Sequence, residues 1–170
     1  MNLMREIRIE KVTLNVGAGK DQDKLKKAQK LLKHITGIEP IKTITQKRIA
    51  GWGLRPGLPI GCKITIRKKP AVVLLKRLIK AKENKLAKTT FDDFGNISFG
   101  ILEYIDIPET KYDPELGMMG LQASITLERP GFRIKKRKLM KRKIPLSHKI
   151  TRKDAINFIK KEFNAKVGEE

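Results

Sequence analysis

The sequence predicts an α+β fold of two layers: a β-sheet with helices packed on one face, carrying a long basic loop and a C-terminal basic arm. Three observations predict it. Segments that alternate apolar and polar residues interleave with segments of helical period, in the order strand, helix, strand, strand, helix, strands. The alternating segments are apolar on one side only, so one sheet face meets a core and the other meets solvent. After Arg129 the character changes: residues 129–153 hold twelve Lys and Arg and no Asp or Glu.

Residues 7–16, IRIEKVTLNV, open the chain's first strand, with Val12, Leu14 and Val16 pointing one way and Lys11, Thr13 and Asn15 the other. GAGK ends it. Residues 21–36 are helical, with a stripe of Leu25, Ala28, Leu31, Leu32 and Ile35; Asp21 can cap the start and Gly37 suits the stop. IKTITQ, 41–46, reads as a second strand, followed by the irregular GWGLRPGLPIG, 51–61. IGCKITIR, 60–67, turns Ile60, Cys62, Ile64 and Ile66 inward and Lys63, Thr65 and Arg67 outward. Pro70 sits near the first turn of a helix that runs through AVVLLKRLIKA, 71–81. Residues 82–96 are looser and end in the turn signature DDFGN. FGILEYIDI, 99–107, reads as a strand and PETKYDPELGM as a loop. LQASITLE, 121–128, alternates again, with Leu121, Ala123, Ile125 and Leu127 in and Gln122, Ser124 and Thr126 out. Thr151 and Asp154 form a capping-box pattern before a short amphipathic helix, 152–163, with Ala155, Ile156, Phe158, Ile159 and Phe163. No internal repeat and no linker divides the chain. It reads as one domain over 1–170: an α/β core at 1–128, the basic arm at 129–150 and a C-terminal helix at 151–164.

Composition narrows the partners. At 170 residues the chain is long enough for a core of its own, and at 5% aromatic that core is aliphatic. Against 39 Lys and Arg stand 18 Asp and Glu, a formal net charge of +21. Such a field attracts polyanions, and a nucleic acid is the first expectation, with an anionic membrane surface as competitor. No run approaches the ~20 apolar residues of a membrane span, and no secretion signal or lipidation motif is visible. One cysteine, Cys62, excludes an internal disulfide, and His34 and His148 lie far apart, so no metal or cofactor is expected. The chain reads as soluble and intracellular.

Enzyme chemistry finds little support. GAGK invites a phosphate loop, but the first glycine of that motif falls on Leu14 and its hydroxyl residue on Asp21. A dinucleotide fingerprint starting at Gly17 would need glycine where Gln22 stands. A tight strand-to-helix turn accounts for both glycines. Asp92 and Asp93 precede FGN and read as turn formers rather than an acid–base pair. Cys62 lies among inward residues and reads as a small core residue.

Binding chemistry finds more. Lys11, Thr13, Asn15, Lys63, Thr65, Arg67, Gln122 and Ser124 share the outward positions of several strands. Hydroxyls and amides suit ribose and phosphate oxygens, and the cations neutralise phosphate. The basic arm contributes Arg133, Lys135, Lys136, Arg137, Lys138, Lys141, Arg142 and Lys143, a run explained by an arm that orders along phosphates. In the irregular loop, Gln46, Lys47, Arg48, Trp52 and Arg55 surround the glycines. An exposed indole there stacks on bases; a tucked one braces the loop from within. Both readings stay open.

Taken together, EKVTLNVGAGKD, ITGIEPIKTITQKRIAGWGLRPGLPIGCKITIR, FDDFGNISFGILEYIDIPETKYDP and GMMGLQASITLERPGF closely resemble the family of the fifth protein of the large ribosomal subunit. The start at REIRIEKV and the tail RIKKRKLMKRKIPLSHKITRKDAINF look like its archaeal and eukaryotic branch. The resemblance implies a curved, mostly antiparallel sheet with helices on one face. It implies a structural, non-catalytic protein of the cytoplasmic ribosome that binds 5S rRNA and attaches it to the large-subunit rRNA in the central protuberance. Asn15 and Thr65 match family positions that touch RNA, whereas Ile38 stands where the family has a contacting glutamine. Residues 46–60 map onto the family's loop toward the P-site tRNA. Neighbouring large-subunit proteins, and a small-subunit head protein across an intersubunit bridge, complete the implied partners.

Overall fold

The computed structural model describes residues 2–168. At its centre, β1 (Arg8–Gly17) pairs antiparallel with β3 (Pro59–Ile66) on one side and β6 (Leu121–Glu128) on the other. β2 (Ile41–Ile44) and β5 (Ile97–Ile101) form the edges, so the five-stranded sheet runs β2-β3-β1-β6-β5 and every pairing is antiparallel.

The sequence of β1 contains a phase conflict that the backbone resolves. Ile7 and Ile9 are apolar at odd positions, whereas Val12, Leu14 and Val16 are apolar at even ones. A regular strand could bury only one set, because a one-residue slip reverses every side chain. The register with β6 shifts between Ile9 and Lys11, a β-bulge that absorbs Glu10. Val12, Leu14 and Val16 are then buried and Ile7 and Ile9 also pack against the core, while Glu10 is displaced toward Arg67 and the arm.

The helices cover the apolar face. α1 (Gln22–Thr36) begins where the Asp21 carboxylate accepts from the Asp23 and Lys24 amides at 3.0 and 3.2 Å. It ends at Gly37, whose φ of 71° closes the last turn. Its buried residues are the predicted stripe, Leu25, Ala28, Leu31, Leu32 and Ile35. α2 (Lys68–Ala81) holds Pro70 in its first turn and buries Ala71, Leu74, Leu75, Leu78 and Ile79. α3 (Arg152–Phe163) starts on the predicted capping box, with Thr151 Oγ1 accepting from the Asp154 amide and Asp154 accepting from the Thr151 amide. Ala155 and Ile159 of α3 join the same hydrophobic cluster as the sheet and the other helices.

Two segments depart from the sequence reading. The strand expected over 99–107 stops at Ile101. Ile97, Phe99 and Ile101 face the core, so one more step would turn Glu103 inward. The chain instead enters a 3₁₀ turn at Tyr104–Asp106, which buries Tyr104 and Ile107, three residues apart. The other departure is a short parallel pair, β4 (Lys85–Ala87) with β7 (Lys166–Gly168), which ties the segment after α3 to the end of α2. Three-residue strands carry too few positions for alternation to show.

Gly61 lies where β1, β2 and β3 converge. A Cβ there would stand 2.7 Å from the Val16 carbonyl oxygen, a backbone atom that cannot swing aside. Gly61→Ala is therefore expected to cost ~1–3 kcal/mol, read as a Tm lower by roughly 2–10 °C for a chain of this size. An unchanged melting curve would contradict this account of the junction.

Candidate nucleic-acid interface

The strand registers gather the outward residues into transverse rows. Lys63 of β3 is opposite Asn15 of β1, which is opposite Gln122 of β6. The next row is Thr65, Thr13 and Ser124, extended by Ser98 of β5. Neighbours within a row lie ~4.8 Å apart and the rows ~7 Å apart, by the geometry of paired strands. Thr13 and Thr65 approach to 3.3 Å between hydroxyl oxygens. Asn15, Lys63, Thr65, Gln122, Ser124 and Ser98 are all exposed, so among the described residues no helix covers this face. Donors, acceptors and a cation thus form a grid wider than any one strand. The sequence reading omitted Ser98, although the alternation of Ile97, Phe99 and Ile101 with Ser98 and Gly100 signals it.

Lys11, opposite Thr126, continues this face one row further, and Arg67 follows β3 at the same end of the sheet, nearest the arm. Arg67 Nη1 stands 3.4 Å from Glu10 Oε1, and Lys136 of the arm stands 2.7 Å from the same atom and 3.1 Å from Glu128 Oε2. Arg8 adds a further pair with Glu128 at 3.1 Å. Burial pushes the Glu10 carboxyl up, but the hydrogen bond and charge of Lys136, with Lys11 and Arg67, outweigh it and hold the carboxyl below its ordinary value.

This cluster latches the arm. The sequence predicts an arm that orders along phosphates; in the structure the arm is also held on the protein itself. Arg129 is buried, and its guanidinium donates to the His148 and Lys149 carbonyls and to Asp154, joining the two ends of the arm. Arg137 donates to the Met140 carbonyl at 2.9 Å. Arg133, Lys135, Lys138, Lys141, Arg142 and Lys143 remain exposed around the closed loop.

Lys136→Met is expected to loosen the arm by on the order of 1 kcal/mol, since the ammonium is partly exposed and screened. Trypsin cleavage within 133–143 should then accelerate about fivefold when opening limits access. Because the Glu10 pKa is lowered in the folded protein, its contribution is full above the unfolded value of ~4.3 and is lost as pH falls through the lower folded value. Acid should therefore loosen the arm below about pH 4, an effect smaller in Glu10→Gln, where Glu128 is left as the partner of Lys136. Equal cleavage rates for Lys136→Met and the parent chain would refute the latch.

The irregular loop is a hairpin that continues β2 and β3 past the sheet. The Thr45 amide donates to the Leu58 carbonyl, and Ile49 and Leu54 exchange backbone bonds at 3.1 and 3.0 Å. A 3₁₀ turn at Ala50–Trp52 and Gly53, at φ 66°, form the tip. Leu54 is buried and anchors the hairpin, whereas Trp52 is 68% exposed. The aliphatic side chain does the bracing, and the indole is left outside with Gln46, Lys47, Arg48 and Arg55.

The remaining motifs are occupied by structure. The Ala18 and Gly19 amides of GAGK, which a phosphate would require, both donate to the Ile60 carbonyl, at 2.9 and 3.0 Å. Asp92 accepts from the Asn96 side chain within the predicted turn. Cys62 is buried, and burial pushes its thiol up to about 11, so it holds no thiolate near neutrality. Among the described residues no helix is long and apolar enough to cross a membrane.

A basic α+β protein with an open polar sheet face, a basic hairpin and a basic arm belongs to the class built to lie against a polyanion. The sequence matches two family models: that of ribosomal protein L5 over residues 2–55, and that of the C-terminus of the same ribosomal family over residues 59–158. It is 45% identical to the large ribosomal subunit protein uL5 of Sulfolobus acidocaldarius over 98% of this chain and 93% of that one. To the uL5 of Nanoarchaeum equitans it is 46% identical, over 96% and 97%. The chain belongs to the large-subunit ribosomal protein L5 family, in its archaeal form, a structural family of the cytoplasmic ribosome and not an enzyme family. The two family segments meet within the hairpin, yet β2 of the first pairs with β3 of the second, and both contribute to one core.

Proposed function

We propose that the chain binds 5S rRNA through the outer face of its sheet and attaches it to the large-subunit rRNA, working as one domain. The observation that carries this reading is the grid of Lys63, Asn15, Gln122, Thr65, Thr13 and Ser124, which spans three strands and, among the described residues, has no helix over it. Ribose hydroxyls and phosphates are the ligands such a grid suits, because short hydroxyl and amide groups pair with both while lysine supplies charge. The exposed cations of the arm add salt-sensitive affinity for a second RNA surface. The hairpin at 46–60, with Arg48, Trp52 and Arg55 outward, supports a contact with the P-site tRNA. A small-subunit head protein and neighbouring large-subunit proteins are further partners in this reading.

Footprinting on 5S rRNA and on large-subunit rRNA, with the parent chain and with a chain lacking residues 133–143, tests the division of labour. Protection of 5S rRNA should survive the truncation, and protection on the large rRNA should shrink. Loss of the 5S footprint in the truncated chain, with its fold intact, would move the primary site from the sheet to the arm.

A further inference from the structure

The DDFGN turn holds an aromatic side chain that neither the core nor the sheet face uses. Phe94 is 62% exposed at the turn's tip. It forms one wall of a cleft of about 610 Å³ whose floor and far side come from the arm, including Phe132, Ile150, Lys135, Lys143 and Lys149. Among the described residues no carboxylate lines it. We propose that this cleft receives one unstacked nucleotide of ribosomal RNA, its base against Phe94 and its phosphate among Lys135, Lys143 and Lys149.

The walls are held in place before any ligand arrives. The turn is closed by the Asp92 amide on the Asn96 carbonyl at 2.9 Å and the Gly95 amide on the Asp92 carbonyl at 3.1 Å. Gly95, at φ 77°, passes so close to Ile150 that a Cβ would stand 2.5 Å from its Cγ2, which fixes the turn against the end of the arm. Opposite, Phe132 is buried and meets the His148 ring edge-on at 5.7 Å, and His148 Nε2 lies 2.9 Å from the Pro130 carbonyl oxygen. Such support lowers the ordering cost of binding.

The cations lie where a nucleotide needs them. Lys149 Nζ is over the Phe94 ring, 5.3 Å from its centroid, and Lys135 Nζ is over Phe132 at 4.9 Å. A base stacked on a ring is a stronger contact than an exposed ammonium over it, so a base can displace Lys149 and leave its charge for the phosphate. Charge decides the class of occupant: an apolar cleft whose charged groups, among the described residues, are all lysines favours a base with its phosphate over an uncharged apolar peptide.

The inference rests on the chain's being an rRNA-binding protein, but not on which face binds 5S rRNA. The test uses the full chain carrying Trp52→Ala, so that the hairpin's indole does not contribute. It is titrated with a nine-nucleotide single-stranded RNA bearing a central 2-aminopurine. Saturation should quench the probe severalfold. Phe94→Ala should abolish the quenching and Phe94→Trp should keep it. Lys135→Gln, Lys143→Gln and Lys149→Gln together should weaken binding and make its logarithmic salt slope shallower by ~0.7, the share of the one phosphate they hold. Phe94 is exposed, so its removal leaves the fold testable by circular dichroism. Undiminished quenching in Phe94→Ala, or none in the Trp52→Ala chain at saturation, overturns the proposal. Binding of 5S rRNA, measured on the same variants, reports separately on the sheet face. Base reactivity in Phe94→Ala complexes assembled with 5S rRNA or with large-subunit rRNA identifies which molecule supplies the nucleotide.

Discussion

Replacing Asn15, Lys63 and Thr65 together by alanine is expected to lower affinity for 5S rRNA about 10²–10³-fold at physiological salt. Hydrogen bonds to charged groups contribute ~1.5–3 kcal/mol each. Three neighbours sharing one ligand do not add in full, so a combined loss of ~3–4 kcal/mol is the reasonable figure. The register makes the triple variant informative: Lys63 and Asn15 are directly opposite, and Thr65 is two residues along β3 on the same face. All three are exposed, so none supports the core. Thr65→Ala removes a good strand former, which costs up to ~1 kcal/mol of stability, and a thermal melt separates that loss from lost binding. The measurement is a filter-binding or calorimetric titration with transcribed 5S rRNA. Affinity retained within about threefold, in a folded variant, would remove the sheet face as the site.

Arg48→Ala, Trp52→Ala and Arg55→Ala in combination should leave 5S rRNA affinity unchanged and speed release of P-site tRNA from ribosomes by about 10²-fold. A stacked base loses ~1–3 kcal/mol when its aromatic partner is cut to alanine, and each charge-assisted bond ~1.5–3 kcal/mol. Substitution is a better test than deletion. Leu54 is buried, and the hairpin is stitched by backbone bonds from Thr45 to Leu58 and between Ile49 and Leu54. Deleting residues 51–58 would unseat that anchor and disturb β2 and β3, which pair through Thr43 and Gly61. Trp52 and the two arginines can be removed without touching it. Unchanged tRNA dissociation rates would refute the role assigned to the hairpin.

Much of the fold was legible because one physical rule dominated each legible segment. The stripe of α1 and the inward residues of β6 are each set by burial of a single face, and burial leaves its period in the sequence. The caps at Asp21, Gly37 and Thr151 were legible for a similar reason: each satisfies backbone groups within a few residues. Where two rules competed, the reading failed. FGILEYIDI is rich in strand formers, but Glu103 falls on the inward phase, and the cost of burying a charge ends β5 at Ile101. At β1 the two phases of isoleucine and valine were both visible in the sequence, and only the bulge reconciles them.

The candidate site divides along the same line. Its chemistry was already settled by the order of the residues: which are basic or hydroxyl-bearing, which face of each strand they take, and the family that they specify. These follow from local spacing and from residue identity. What stands beside what was settled by folding. Strand register joined Lys63, Asn15 and Gln122 into one row. The bulge brought Glu10 under Lys136, far along the chain, and turned a run of cations into a latched loop. The hairpin chose Leu54 for its anchor and left Trp52 outside. These are contacts between residues distant in sequence, chosen by the pairing and packing of the whole chain, and no local period encodes them.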